Sequence, residues 1–150
     1  MKTCFLFGHS DAPDLFAELT RALRYCYEEL GIRRFVAGSR GNFDCIEAVR
    51  AFKWLKGEYD DVELQRLIAY HPALRRREHQ WQGSVFGSTY YPEGLENTPP
   101  IAAIRKANEL MVLQSDAVIC YACHPGNARE LLRYARRHGV FCMELTQDIL

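Results

Sequence analysis

Five short apolar runs alternate with helical patterns along this chain, and this alternation constrains its fold more than any other feature. The predicted strands are residues 2–7, 33–37, 64–69, 116–121 and 140–145. A strand, a helix and a second strand in succession build a right-handed parallel unit. The pattern therefore predicts an α/β fold, with one mainly parallel five-stranded sheet and helices on both faces.

Small polar residues mark the predicted starts of the first and last helices. Ser10 or Asp11 is predicted to cap the first helix, with Pro13 in its first turn. Asn127 is predicted to cap the last helix, with Glu130 three residues on as its capping-box partner. Both helices would then begin directly at the ends of strands.

The predicted strand order is 3-2-1-4-5, which makes the first and fourth strands neighbours at the point where the winding reverses. Ligands of such sheets bind there, outside the carboxyl ends of the strands. The loops that follow these two strands are Gly8-His9-Ser10 and His124-Pro125-Gly126-Asn127. A helix N-terminus after such a loop presents free N–H groups to an anion. The sequence thus predicts a phosphate-bearing, nucleotide-like ligand held by Gly8, His9, Ser10, Gly126 and Asn127.

Length and charge narrow the class of protein further. A chain of 150 residues is expected to form one domain, residues 1–150. Its 19 basic and 19 acidic residues cancel, so nucleic acid is not an expected partner. No apolar run reaches the length of a signal-peptide core or a membrane span, which predicts a cytoplasmic protein without a membrane partner. The sequence leaves open whether the protein forms a homo-oligomer.

Cys120-Tyr121-Ala122-Cys123-His124 matches the C-x-x-C-H signature of covalent haem attachment. The first cysteine falls inside a predicted strand, and no second pair of ligands with zinc spacing is present. A strand end followed by a turn is the favoured interpretation. The sequence therefore predicts no cofactor and no metal.

The loop after the second predicted strand carries further ligand-binding candidates. Gly38, Ser39 and Gly41 either let a ligand approach the backbone or form a turn. Asp44 either bonds ribose hydroxyls or is a plain acid at a helix N-terminus. For Glu47, one turn on, a solvated helix surface is favoured.

The segment from His71 to Pro100 is the least regular part of the chain. His71 and the run Arg75–Arg77 are candidates for the outer edge of the pocket. A charge run is more often only solvated. The aromatic residues Trp81, Phe86, Tyr90 and Tyr91 either stack on a base or fasten the segment to the core.

Three of these loops together resemble the SLOG superfamily, and within it the YpsA-like proteins. The resemblance lies in Gly8-His9-Ser10, in Gly38 to Asp44, and in Ser115 to Ile119 followed by Pro125-Gly126-Asn127-Ala128. It spans nearly the whole chain. It implies a Rossmann-like pocket for a nucleotide or a nucleotide-derived ligand.

Relatives in that superfamily include the lonely-guy phosphoribohydrolases and the DNA-processing protein A fold. The phosphoribohydrolases use a loop P-G-G-x-G-T-x-x-E, with an arginine and that glutamate in catalysis. Here Pro125-Gly126-Asn127-Ala128-Arg129-Glu130 is shorter and lacks the second and third glycines and the threonine. Glu130 is the candidate counterpart of the family glutamate.

Two function classes follow. The favoured one is a binding or sensing module without catalysis, and the alternative is a hydrolase of the nucleotide N-glycosidic bond. Asp44, Glu47 and Glu130 are the candidate acid–base groups, and no spacing assigns any of them as catalytic. DNA binding, by analogy with one relative, is a third and weaker class.

Overall fold

The computed structural model describes residues 1–70 and 85–146. Six strands lie in this part of the chain: β1 Thr3–Gly8, β2 Arg34–Ala37, β3 Glu63–Leu67, β4 Ser88–Tyr90, β5 Ala117–Tyr121 and β6 Phe141–Glu144. Four α-helices accompany them: α1 Phe16–Glu28, α2 Ala48–Glu58, α3 Ala103–Leu113 and α4 Asn127–Arg137. A π-helical turn, Phe43–Glu47, precedes α2, and a 3₁₀ turn, Pro100–Ala102, precedes α3.

All six strands form one parallel sheet in the order β4-β3-β2-β1-β5-β6. The α/β class and the relative order of the five expected strands are confirmed. The expected number of strands is wrong, because β4 pairs with β3 at the edge (Gln65 opposite Ser88, Leu67 opposite Tyr90). With only three residues, β4 is too short to show an alternating pattern in the sequence.

The sheet separates two apolar layers because successive side chains of a strand point to opposite faces. Cys4 and Leu6 of β1 pack with α1 and α2, whereas Phe5 and Phe7 pack with α3 and α4. The neighbouring strands β1 and β5 are buried on both faces. This burial explains why they read as continuous apolar runs.

Both predicted helix caps are wrong. Helix α1 begins at Phe16, five residues beyond Asp11, and neither Ser10 nor Asp11 caps it. Helix α4 begins at Asn127 with Gly126 in the cap position, and no side chain forms a capping bond there. Glu130 pairs instead with Arg133, one turn along the helix (3.1 Å).

Within residues 1–70 and 85–146, no helix combines the length and the apolar character needed to cross a bilayer.

Candidate ligand-binding site

The loops that follow β1, β2 and β5 converge at one edge of the sheet. The backbone N–H of Asn42 donates to the carbonyl of Ser10 (2.9 Å), and the N–H of His9 donates to the carbonyl of Tyr121 (3.1 Å). Gly41 has φ +81°, and a Cβ on it would lie 2.6 Å from Cα of Ser10. The structure therefore brings together the three loops that carry nine of the ten predicted site residues.

Gly8 is required for packing at the end of β1. A Cβ on Gly8 would lie 2.5 Å from Cγ of Phe43, the buried residue that begins the π-helical turn. The glycine thus lets the loop after β2 close over the end of β1. This contact accounts for Gly8 without a ligand.

The N-terminus of α4 is open. Gly126 has φ +151°, a conformation that favours glycine, and a Cβ there would lie 3.8 Å from the His9 ring. In the described part of the chain, no side chain accepts a hydrogen bond from the backbone N–H of Asn127, Ala128 or Arg129. These three donors and the positive end of the helix dipole remain available at the β1–β5 junction.

Carboxylates accept the N–H of Phe16, the first residue of α1, and the N–H of Leu15 before it. The N–H of Phe16 donates to Oδ1 of Asp14 (3.0 Å). The N–H of Leu15 donates to Oε1 of Glu47 (2.7 Å), and Arg50 Nη1 lies 3.5 Å from the same oxygen. Glu47 is only 5% exposed. The expectation of a solvated Glu47 is wrong, and the carboxylate that could have faced a ligand stabilises α1 instead.

Two histidines stack face to face where the loops after β1 and β5 meet. The rings of His9 and His124 lie 3.6 Å apart at an angle of 9°. The backbone N–H of His124 donates to Nε2 of His9 (3.2 Å), and Nε2 of His124 lies 3.1 Å from Oδ1 of Asp11. Tyr121 meets the His9 ring edge-on. His9 is buried, with 5% of its surface exposed.

The protonation equilibria of the two histidines move in opposite directions. Burial, followed by the charge of His124, lowers the pKa of His9. Hydrogen bonds to the carbonyl of Pro125 and to Asp11 raise the pKa of His124. The bond to His124 in turn lowers the pKa of the Asp11 carboxyl.

A pocket of about 130 Å³ lies beside these loops, at the carboxyl ends of β2 and β3 and against α3. It is lined by Gly38, Ser39, Arg40, Asp44, Leu67, Ile68, Ala69, Tyr70, Ile104, Ala107 and Asn108. Gly38 has no room for a side chain, because a Cβ there would lie 2.5 Å from Oδ2 of Asp44. We call this cavity the Asp44 pocket.

Asp44 is the most perturbed acid of the site. The N–H of Arg40 donates to its Oδ2 (3.2 Å), whereas the buried Oδ1 has no hydrogen-bond partner among the described residues. Burial raises the pKa of Asp44 to about 7 against the opposing effects of the Arg40 N–H and the Arg66 guanidinium. Arg66 itself donates to the carbonyl of Gly38 and stacks over Phe86.

Several other polar and aromatic residues make contacts within the protein, and the remaining candidates lie outside the described residues. Arg129 donates to the carbonyls of Ala122 (3.2 Å) and Cys123 (2.7 Å), and so fastens the loop after β5. The hydroxyl of Tyr90 donates to Gln114 (2.8 Å), and Phe86 packs on Phe52. His71, Arg75–Arg77 and Trp81 lie outside the described residues.

The haem and zinc alternatives gain no support from the geometry. The Cys120 thiol is completely buried in β5, and His124 is engaged with Asp11 and Pro125. In residues 1–70 and 85–146, no cluster of three His, Cys, Asp or Glu side chains is placed to hold a metal ion.

Sequence reasoning did not select Asp11 and His124 as site residues, although His124 belongs to the predicted loop. No protein-family model, curated protein or solved structure matches this chain. The assignment of function therefore rests on the geometry and on the motifs quoted above.

Proposed function

We propose that this protein is a SLOG-type binding or sensing module for a nucleotide or nucleotide-derived phosphate ligand. The observation that carries the proposal is the uncapped N-terminus of α4 at the β1–β5 junction. This is the switch point of the sheet, where α/β proteins of this topology bind ligands. The Asp44 pocket lies along the same edge of the sheet.

The phosphate would bind at the start of α4. Three backbone N–H groups and the helix dipole favour an anion there, and Gly126 contributes no side chain that would block its approach. Burying these donors without a partner would cost free energy, so an external acceptor suits them.

The sugar would bind in the Asp44 pocket. Asp44 lines this pocket, and its carboxyl group accepts hydrogen bonds of the kind that ribose hydroxyls donate. Because burial raises its pKa to about 7, the carboxyl can also be protonated and donate a hydrogen bond to a ribose oxygen.

The alternative, hydrolysis of an N-glycosidic bond, retains one acid–base candidate. Glu47 is committed to α1, and Glu130 is exposed and paired with Arg133. Asp44, with a pKa of about 7, has the protonation equilibrium of a general acid or base. Release of free adenine from adenosine monophosphate (AMP), abolished in Asp44→Asn, would favour the enzyme over the binding module.

The binding test is calorimetry with AMP, ADP-ribose and adenosine. We expect AMP and ADP-ribose to bind, and adenosine to bind at least about tenfold more weakly because it lacks the phosphate. Gly126→Ala should lower the affinity for AMP by about tenfold or more, since the new Cβ faces His9 at the mouth of the site.

Gly139→Ala is the matched control, because Gly139 lies beyond the other end of α4 with φ +73° and has open space around it. Both substitutions strain a glycine backbone, but only one lies at the site. An equal loss of affinity in the two variants, or no loss in Gly126→Ala, would place the ligand elsewhere.

A further inference from the structure

The hydrogen bonds of the two stacked histidines favour different protonation states. Nδ1 of His124 lies 3.0 Å from the carbonyl oxygen of Pro125, and its Nε2 lies 3.1 Å from the Asp11 carboxylate. Both partners are acceptors, so both contacts are hydrogen bonds only when both ring nitrogens carry a proton. The arrangement therefore favours the imidazolium form of His124, paired with Asp11.

His9 must be neutral by the same reasoning. Its Nε2 accepts the backbone N–H of His124 and so carries no proton. The single proton of the neutral ring is then on Nδ1. Among the described residues this Nδ1 has no hydrogen-bond partner, and it lies 3.8 Å from the position of a Cβ on Gly126. A donor without a protein partner thus faces the open start of α4.

We propose that His9 is a specificity-determining residue whose Nδ1–H donates to an anionic oxygen of the ligand's phosphate, and that the Asp11–His124 ion pair holds it in that tautomer. The ligand in this inference is that of the proposed function. The tautomer of His9 follows from hydrogen bonds within the protein and does not depend on that ligand.

The stack also makes phosphate binding depend on pH in both directions. Protonation of His9 at Nε2 would break its bond to the His124 N–H and place two cations face to face at 3.6 Å. Loss of the proton from His124 would remove a positive charge and one of its two hydrogen bonds. Affinity is therefore highest between these two protonation events.

The charged groups around the two stacked rings are consistent with affinity being highest in this pH range. Asp11 on the β1 loop favours a positive charge on either ring, whereas Arg129 on α4 opposes it. Tyr121, hydrogen-bonded to Cys123 in a way that raises the pKa of its phenol to about 12, stays neutral at the edge of His9.

Nuclear magnetic resonance of protein labelled with ¹⁵N-histidine tests the tautomer without any ligand. At about pH 6.5, the ordinary pKa of histidine, we expect His9 to show mainly a protonated Nδ1 and a bare Nε2, and His124 to show mainly two protonated nitrogens, because the pKa of His9 is lowered and that of His124 is raised. His138, whose Nδ1 faces the carbonyl of Tyr134 at the exposed end of α4, is the internal reference. A proton on Nε2 of His9, or a neutral His124, would overturn the inference.

Addition of AMP or inorganic phosphate should move the Nδ1–H signal of His9 and leave that of His138 in place. A His9 signal that stays unmoved when either probe is bound would exclude the donor role. If His9 shows the expected tautomer but neither AMP nor phosphate binds, the proposed function is contradicted. The assignment of the protonation states of His9 and His124 would then still hold, but the donor role of His9 would not.

Two substitutions of His9 test whether its side chain donates a hydrogen bond to the ligand or only occupies space. The amide of asparagine lies as many bonds from Cα as Nδ1, whereas the amide of glutamine lies as far as Nε2. His9→Asn should keep affinity for AMP within about threefold and flatten its acid limb, and His9→Gln should lose roughly tenfold to a hundredfold. His138→Gln is the control and should leave affinity unchanged. Equal affinities of His9→Asn and His9→Gln would contradict the assignment.

Asp11→Asn tests the positioning role of the ion pair. Without the carboxylate the pKa of His124 should fall, because Asp11 helps to raise it. Affinity for AMP should then drop most between the pKa of His124 in the variant and its raised pKa in the parent protein, and much less at lower pH, where His124 keeps its proton in both. A loss that is equal in both pH ranges would show that Asp11 has only a structural role.

Discussion

The starts of α1 and α4 stand at equivalent places in the fold, since each helix follows one of the two neighbouring strands β1 and β5. They differ in what meets their free N–H groups. At α1 the buried carboxylate of Glu47 accepts from Leu15 at 2.7 Å. At α4 no side chain caps the helix. The protein supplies an internal anion at one start and leaves the other open, so only α4 is suited to an external anion.

The same contrast recurs within the π-helical turn Phe43–Glu47, which carries both Asp44 and Glu47. Glu47 has its partners inside the protein, whereas Asp44 keeps a buried oxygen without one. A group whose bonds are complete contributes to folding. A buried group left without a partner lowers stability instead, and in our proposal Asp44 is kept for the ligand.

Replacement of Glu47 should have the largest effect on stability. Glu47→Ala leaves the N–H of Leu15 buried without an acceptor, and we expect the free energy of unfolding to fall by about 3 kcal/mol. Glu47→Gln retains an acceptor and should lose about 1 kcal/mol. Urea unfolding measures both. A change below about 0.5 kcal/mol in Glu47→Ala would mean that α1 does not need its internal anion.

Asp44→Asn should stabilise the protein, and only at higher pH. The pKa of Asp44 is about 7 in the folded chain and near 3.9 when unfolded. The folded state therefore binds more protons between these values, and Asp44 lowers the free energy of unfolding as pH rises through them. We expect a gain of roughly 1–3 kcal/mol at about pH 8 and almost none near pH 4.

Urea unfolding across this pH range, with the exposed Asp60→Asn as control, measures the effect. Affinity for AMP should fall in Asp44→Asn while stability rises, which is the opposite of what a residue kept for folding would show. A pH-independent difference between Asp44→Asn and the parent protein would refute the buried, proton-binding carboxyl.

The smallest effects are expected at the open start of α4. Asn127→Ala should cost about 0.3 kcal/mol or less, because the Asn127 side chain makes no capping bond, whereas loss of a true cap costs about 1 kcal/mol. Glu130→Gln should be equally mild, since its pair with Arg133 is exposed. Thermal unfolding of Asn127→Ala shows whether the Asn127 side chain caps α4. A loss of stability near about 1 kcal/mol would mean that it does, and would weaken the contrast between the starts of α4 and α1.

Local sequence patterns were sufficient to predict the inner strands of the sheet, but they were insufficient to predict the polar contacts. The strands β1 and β5 were predictable because burial on both faces leaves a continuous apolar run. Short β4 has too few residues for any periodicity. The role of Glu47 depends on Leu15, which is 32 positions away, and that of His124 depends on Asp11, 113 positions away. No spacing rule within an element reports such pairs.

The convergence of the loops after β1, β2 and β5 could be predicted because topology alone brings those strand ends together. Which donors stay open there was not predictable, since capping is decided by the tertiary contacts. Proline and small polar residues near positions 10–13 suggested a helix start, yet α1 begins at Phe16, whose N–H donates to Asp14, while Glu47 accepts from Leu15 just before it.

The position of β1 at the centre of the sheet has a consequence for synthesis of the chain. As the ribosome delivers it, β1 pairs with β2 early, but its other edge waits for β5, whose Val118 lies opposite Phe5. Until then an apolar strand presents unpaired backbone groups, a template for wrong pairing between nascent chains. The junction that holds His9 against His124 is therefore completed only when most of the chain has been translated.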